Sequence, residues 1–145
     1  MAKSLKTEEL DEILKHSSSI DSYLEEFNFV FKEMAFKEYM ESLLLKYNMR
    51  VADIIKKTEI DRTYAYQIVA GNRRASRDKL LQIALAVCRE LEEVQTLLKV
   101  SGYSPLYTKV KRDTIIKYGI EKHLEVSEIN QLLYEYYEKP LYEKD

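Results

Sequence analysis

The scarcity of turn-forming residues constrains this chain more than any other feature. Its 145 residues include only 3 glycines and 2 prolines. Hairpins and glycine-rich phosphate loops depend on such residues, because tight turns need either positive φ angles or a fixed φ. Leucine, lysine, glutamate and alanine fill long stretches instead, and these residues favour helices. With 46% hydrophobic residues to build a core, the sequence predicts an all-α fold.

Reactive and metal-binding residues are few. The chain has one cysteine, Cys88, and two histidines far apart, His16 and His123, so it offers neither an internal disulfide nor a zinc-site spacing. We find no nucleophile–base pair and no phosphate loop, and we therefore expect neither an enzyme nor a cofactor. No apolar run approaches the roughly 18 residues that span a bilayer. We expect a cytoplasmic protein that does not bind membranes.

Apolar residues recur at spacings of three and four along the first third of the chain. This pattern predicts a helix over residues 7–15 and a second over residues 21–33, with a polar run, His16-Ser17-Ser18-Ser19, between them. A third apolar stripe covers residues 36–47, and Asn48 is a plausible stop. We therefore expect an N-terminal helical extension over residues 1–35.

Residues 51–69 contain two short helical patterns joined by a turn. The apolar skeleton consists of Ile54 and Ile55 in the first helix, Ile60 in the turn, and Ala65 and Ile68 in the second helix. Asp61 is expected to cap the second helix, Gly71 to end it and Ser76 to cap the next one. Such a pair of short helices is typical of a helix-turn-helix, whose second helix enters the major groove of DNA.

Charge is distributed unevenly along the chain. The net charge is −2 overall, but residues 46–79 carry nine basic and four acidic side chains, while residues 1–45 and 90–145 are both acidic. The basic segment coincides with the helix-turn-helix pattern. A local excess of positive charge favours an anionic partner such as DNA, although basic residues on helix surfaces are also ordinary.

The outward residues of the second helix are the candidate base contacts: Arg62, Thr63, Tyr66 and Gln67. Gln can contact adenine, Arg can contact guanine or a phosphate, and Thr offers a methyl group and a hydroxyl. A second set is expected to contact the DNA backbone: Arg50, Tyr64, Asn72, Arg73, Arg74, Ser76 and Arg77. The competing interpretation is an ordinary polar helix surface.

At these residues the chain resembles the XRE family of lambda-repressor-like helix-turn-helix regulators. The resemblance is carried by Thr63-Tyr64-Ala65-Tyr66-Gln67-Ile68 and Gly71-Asn72-Arg73-Arg74-Ala75-Ser76, and it covers residues 36–89. It implies a five-helix DNA-binding domain that acts as a homodimer on double-stranded DNA with two-fold symmetry. The chain departs from the family pattern at Ile55, Glu59 and Ala75, where the family usually or often has Ala, Gly and Pro.

The C-terminal part contains an internal repeat at an offset of 35 residues. Residues 77–107 align with residues 112–142, with nine identical positions, and both copies end in Pro-Leu-Tyr. Each copy predicts a helix, a turn and a second helix. We expect the extension over residues 90–145 to be structural, with the second helix of the last copy packed near Val94, Leu97 and Leu98 or against another subunit.

A second function is compatible with the same sequence. The chain has 12 tyrosines, and several lie near its C-terminus: Tyr134, Tyr136, Tyr137 and Tyr142. Tyrosine is enriched at protein interfaces. The alternative to a DNA-binding transcriptional regulator is therefore a protein-interaction module that kept the helix-turn-helix fold and binds a partner protein through its tyrosine-rich helices.

Overall fold

A computed structural model of the chain describes residues 7–16, 19–26 and 28–143, with side chains described outside residues 25–34. Regular structure in these ranges is entirely helical, which confirms the all-α prediction. The helices are α1 (Thr7–His16), α2 (Ile20–Glu26), α3 (Asn28–Lys46), α4 (Val51–Lys57), α5 (Arg62–Val69), α6 (Arg77–Val87), α7 (Leu91–Val100), α8 (Lys111–Glu121) and α9 (Val126–Glu135). None of these described helices is long and apolar enough to cross a membrane.

The N-terminal helices follow the predicted pattern only in part. The helix expected over residues 7–15 is present as α1, but a helix over residues 21–33 is wrong, because α3 already begins at Asn28 and continues past that point. Met34 and Ala35 favour helix, and no glycine or proline interrupts the segment. The end of the predicted second helix and the third apolar stripe therefore form one continuous helix, α3. Phe27 lies outside the described residues.

The predicted helix signals in the central segment are confirmed. Asn48 follows α3 with a φ of 50°, and the Asp61 carboxylate accepts a hydrogen bond from the Tyr64 N–H at the start of α5. Gly71 follows α5 with a φ of 81°, a backbone conformation that glycine adopts without steric cost. The Ser76 hydroxyl caps α6 by accepting from the backbone N–H of Lys79 at 3.2 Å.

The apolar residues predicted to form the helix-turn-helix skeleton lie within the core. Ile54, Ala65 and Ile68 are at most 1% exposed, Ile60 is buried in the turn, and Ile55 packs against the same cluster. Helix α4 packs against α5 and α6, while α3 packs against α7. The core runs without a break from Phe36 to Leu141, so it crosses the expected boundary at residue 90. The three-segment division stays a prediction.

The 35-residue repeat forms two helical hairpins, α6 with α7 and α8 with α9. Helix α6 packs against α9, and α7 packs against α8. This crossed arrangement relates the two copies by an approximate two-fold, as in an isologous dimer interface. Val94, Leu97 and Leu98 are buried as expected, but α9 reaches the first copy mainly through α6.

Equivalent polar contacts close the two hairpins. Gln95 exchanges two hydrogen bonds with the backbone of Leu106. Its equivalent, Asn130, accepts from the N–H of Leu141 and donates to the carbonyl of Tyr142. Each Pro-Leu-Tyr segment is thereby tied to the second helix of its own hairpin, which explains why both copies end in the same three residues.

Candidate nucleic-acid interface

Helix α5 presents one apolar side and one polar side. Ala65, Ile68 and Val69 are buried against the core, which leaves the opposite side of this two-turn helix facing outward. Arg62, Thr63 and Tyr66 are exposed and Gln67 is half-buried. The structure therefore brings the four predicted base-contacting residues together on a single helix surface.

Two contacts order the side chains on this surface. The guanidinium of Arg62 lies 5.5 Å from the centre of the Tyr66 ring, and an Arg73 guanidinium nitrogen donates to the Gln67 side-chain oxygen at 3.3 Å. Both contacts restrict long side chains without burying them. An ordered surface loses less conformational entropy when it binds a partner.

The ring of Tyr64, on α5, makes cation–π contacts with two basic side chains. Its half-buried ring lies 4.2 Å from the Arg73 guanidinium and 4.1 Å from the Lys79 ammonium, and its hydroxyl donates to the Arg74 carbonyl at 3.4 Å. We call Arg73, Arg74 and Lys79 the basic cluster; all three are exposed. Sequence reasoning missed Lys79, although it falls inside the basic segment and three residues after the Ser76 cap.

A residue from a distant loop supports the basic cluster. The Arg74 Nε donates to the Tyr103 hydroxyl at 3.2 Å, and the guanidinium lies 4.8 Å from the ring of the same tyrosine. The Tyr103 hydroxyl in turn donates to the Ala75 carbonyl at 2.5 Å. Tyr103 follows α7 and was not predicted as a site residue. It connects the segment after α5 to the first repeat hairpin.

Arg77 differs from the arginines of the basic cluster. Its side chain is 25% exposed, and the guanidinium donates to the carbonyls of Ser104 and Pro105 and to the Asp113 carboxylate. A guanidinium has five donors in a fixed plane, and most of this one is directed into the protein. The structure thus separates Arg77 from the other predicted phosphate contacts.

The remaining predicted backbone contacts lie at helix ends. Arg50 precedes α4 and is exposed, and its backbone N–H donates to the Asp53 carboxylate at 2.8 Å. Asn72 is exposed, and its backbone N–H donates to the Gln67 carbonyl. Ser76 uses its hydroxyl as the α6 cap. These three residues therefore lie at the start of α4, after the end of α5 and at the start of α6, respectively.

A separate polar cluster links the end of α3 to α7. Glu93 is 8% exposed and accepts hydrogen bonds from the Lys46 ammonium at 2.8 Å, the Tyr47 hydroxyl at 2.7 Å, and the backbone N–H groups of Arg89 and Glu90. Burial raises the pKa of a carboxyl, but these four donors outweigh it and lower the pKa of Glu93 to about 2. Glu93 therefore stays ionised and holds the two helices together.

Cys88, the one cysteine of the chain, packs against the hydrophobic core. Burial raises the pKa of the Cys88 thiol far above its usual range, so that thiol is protonated and unreactive. Within the part of the chain that the structure describes, no three His, Cys, Asp or Glu residues are arranged to hold a metal ion. The candidate site is an exposed surface of charged and polar side chains.

Comparisons with protein-family models, curated proteins and solved structures found no match to this chain.

Proposed function

We propose that this protein is a sequence-specific, double-stranded-DNA-binding transcriptional regulator that recognises the major groove with α5. The observation that carries the proposal is the position of the basic cluster directly beside the exposed side of α5. Base contacts and phosphate contacts are both needed for specific binding, and here the two kinds of side chain occupy one continuous surface.

The two parts of the surface have different tasks. Arg62, Thr63, Tyr66 and Gln67 contact base edges, since they are the accessible side chains of a helix narrow enough to enter the groove. Arg73, Arg74 and Lys79 contact phosphates, because they lie after α5 and in the first turn of α6, beside the exposed side of α5. Arg50, Asn72 and Ser76 add polar groups at the rim. Arg77 is reassigned to a positioning role because its donors are used inside the protein.

The proposal includes a lambda-repressor-like domain of the XRE type and a homodimer on a two-fold operator. The support is the pair of short helices α4 and α5, packed against each other, with their buried apolar residues. A dimer would place two copies of α5 in successive major grooves about 34 Å apart.

Selection of bound sequences from a random duplex pool tests the proposal. We expect an enriched site with an inverted repeat and an affinity that falls steeply with salt. The matched pair of variants is Arg73→Gln, in the basic cluster, and Lys122→Gln, an exposed lysine at the end of α8. Only the first should weaken binding. Failure to enrich any sequence, with no salt-dependent retention on DNA, would contradict the proposal.

One observation favours the second candidate, a protein-interaction module. Large aromatic surfaces remain exposed on the last two helices and after them: Tyr118 and Tyr136 are each 53% exposed and Tyr137 is 95% exposed. Tyrosine contributes large, rigid contact areas at interfaces. Binding to a protein partner that is insensitive to Arg73→Gln, together with absent DNA binding, would favour this function over the first.

A further inference from the structure

The outer side of α9 forms an open groove of about 380 Å³, which we call the α9 groove. Its lining residues are Leu124, Ser127, Glu128, Gln131, Leu132 and Glu135. Two leucines form an apolar floor, and two glutamates give it an acidic rim. The 35-residue repeat assigns each lining residue an equivalent on α7 or just before it, so the first copy shows how such a surface is used.

In the first copy the equivalent surface is covered by α3. Leu124 corresponds to Arg89, whose guanidinium lies 4.7 Å from the Tyr47 ring. Glu128 corresponds to Glu93, which binds both Lys46 and Tyr47. Gln131 corresponds to Thr96, whose side chain lies near that of Tyr39 on α3. Three of the six positions that line the α9 groove are therefore equivalent to positions that contact α3 or Tyr47, the residue directly after it.

No helix takes the place of α3 on the second copy among the described residues. Leu97, on α7, is fully buried, whereas its equivalent Leu132 is only partly buried. Glu93 accepts from a lysine, a tyrosine and two backbone N–H groups, whereas the Glu128 carboxylate accepts from the N–H of Glu125 alone in the described part of the chain. Among the residues that the structure describes, the second copy thus keeps the acceptor and the leucine of the first copy but has no covering helix.

We propose that the α9 groove binds an amphipathic helix of a partner protein that carries a lysine or arginine beside its apolar stripe, as α3 carries Lys46. The ammonium or guanidinium pairs with Glu128, and the apolar stripe covers Leu124 and Leu132. Glu135 extends the acidic rim where the first copy has Val100, so the groove favours a more basic helix than α3. This is a helix-in-groove interaction, and it is independent of the proposed DNA site.

The charge of the chain argues against its own helices as the occupant. Helix α1 has Glu8 and Glu9 in its first turn and Asp11 and Glu12 after them, so it would be repelled by the acidic rim. Helix α3 of a second copy is already packed on its own α7. A basic helix from another protein satisfies both conditions, since it brings opposite charge and needs no rearrangement of this fold.

The experiment uses the full chain and two fluorescein-labelled peptides. The first has the sequence of residues 35–48, which contains the α3 surface that covers α7; the second also carries Glu38→Lys and Glu41→Lys, at positions that are exposed on α3. Fluorescence anisotropy should show saturable binding that is tighter for the more basic peptide. The variant Glu128→Gln keeps an oxygen that can accept from the Glu125 N–H and removes the charge, and it should weaken binding about fivefold.

A double-mutant cycle assigns the contact. Lys46→Gln in the peptide should weaken binding to the natural chain by a similar factor and should have little further effect on Glu128→Gln. Glu92→Gln is the control, since Glu92 is an exposed carboxylate on α7 outside the groove. No saturable binding by either peptide overturns the proposal, as does binding that is unchanged in both Glu128→Gln and Leu132→Ser, with circular dichroism showing that each variant is folded. Self-association of the chain that is lost in Leu132→Ser also overturns it, because a second copy would then be the occupant.

Discussion

Arg77 of the first repeat copy binds Asp113 of the second at 3.4 Å, and the reciprocal pair, Arg112 with Asp78, forms at 2.9 Å. The same two repeat positions therefore make both ion pairs, once in each direction. Each arginine also donates to the carbonyl of the proline in the Pro-Leu-Tyr segment of its own copy. These contacts fix the first turn of α6 relative to α8, and α6 begins just after the basic cluster.

Breaking one ion pair should destabilise the fold. Arg77→Gln leaves the buried Asp113 carboxylate with the Tyr107 N–H at 3.0 Å as its other hydrogen-bond donor, and we expect a loss of about 2–3 kcal/mol in the free energy of unfolding. Lys139→Gln is the control: that lysine is 77% exposed and 3.7 Å from Asp78, so its loss should cost less than about 0.5 kcal/mol. Urea denaturation of both variants measures the difference, and equal midpoints would disprove the structural role of Arg77.

The phosphate contacts should separate by their position in the structure. Neutralising Arg73 or Arg74 should weaken binding to all DNA sequences and lower the slope of log affinity against log salt by about one unit. Arg77→Gln should leave that slope unchanged, because its donors are used inside the protein. Affinity titrations at several salt concentrations, on folded protein, distinguish the two outcomes. A slope that falls only in Arg77→Gln would reverse this assignment.

Base recognition should depend on two side chains of α5. Thr63→Ala and Gln67→Ala remove groups from the exposed side of the helix, and each should reduce discrimination at a few base pairs by about 1–3 kcal/mol. The free energy of unfolding should change little, because Thr63 is exposed and Gln67 is half-buried. Competition between the selected site and single-base variants measures the effect. Unchanged selectivity in both variants would show that other residues recognise the bases.

The sequence allowed the helical class, the Asp61 and Ser76 caps and the repeat to be predicted, because each depends on residues close together or on a fixed offset. It did not predict the role of Tyr103, which reaches Arg74 across 29 positions, nor the inward turn of Arg77. Both depend on where the segment after α7 lies relative to the start of α6. The sequence does not show whether an arginine is exposed or has its donors bonded inside the protein. Only the tertiary structure therefore distinguishes Arg74 from Arg77.

Stability should fall in acid because of Glu93. Its pKa is about 2 in the folded chain against 4.5 for an ordinary glutamate, so its contribution is complete above pH 4.5 and is lost as the pH falls towards 2. A pKa shift of this size corresponds to about 3 kcal/mol in the free energy of unfolding. Glu93→Gln should be less stable than the natural chain at pH 7, and the gap should narrow between pH 4.5 and 2. A gap that stays constant in urea denaturation across this range would contradict the assignment.

At one contact between their two helices, the two hairpins pack different pairs of residues at equivalent positions. This difference gives a test of the repeat. Gly119 on α8 faces Ile129 on α9, while the equivalent positions in the first copy hold Ala84 and Val94, both fully buried. A smaller residue on one helix is matched by a larger one on the other. The volume of each pair is therefore conserved across the repeat.

Gly119→Ala should destabilise the chain although alanine is the better helix former. The added Cβ would clash with Cγ1 of Ile129 and lie 2.7 Å from its Cδ1. Cγ1 can move away only by rotation about χ1, which would swing the Cδ1 of the fully buried Ile129 into its neighbours, so overpacking, at about 1–3 kcal/mol, outweighs the gain of about 1 kcal/mol in helix propensity. Ile129→Val on this background removes Cδ1 and so permits that rotation; it recreates the Ala–Val pair of the first copy and should recover at least half of the loss. Urea denaturation of the natural chain, both single variants and the double variant measures the coupling. Losses that simply add would show that the two hairpins do not pack in equivalent ways.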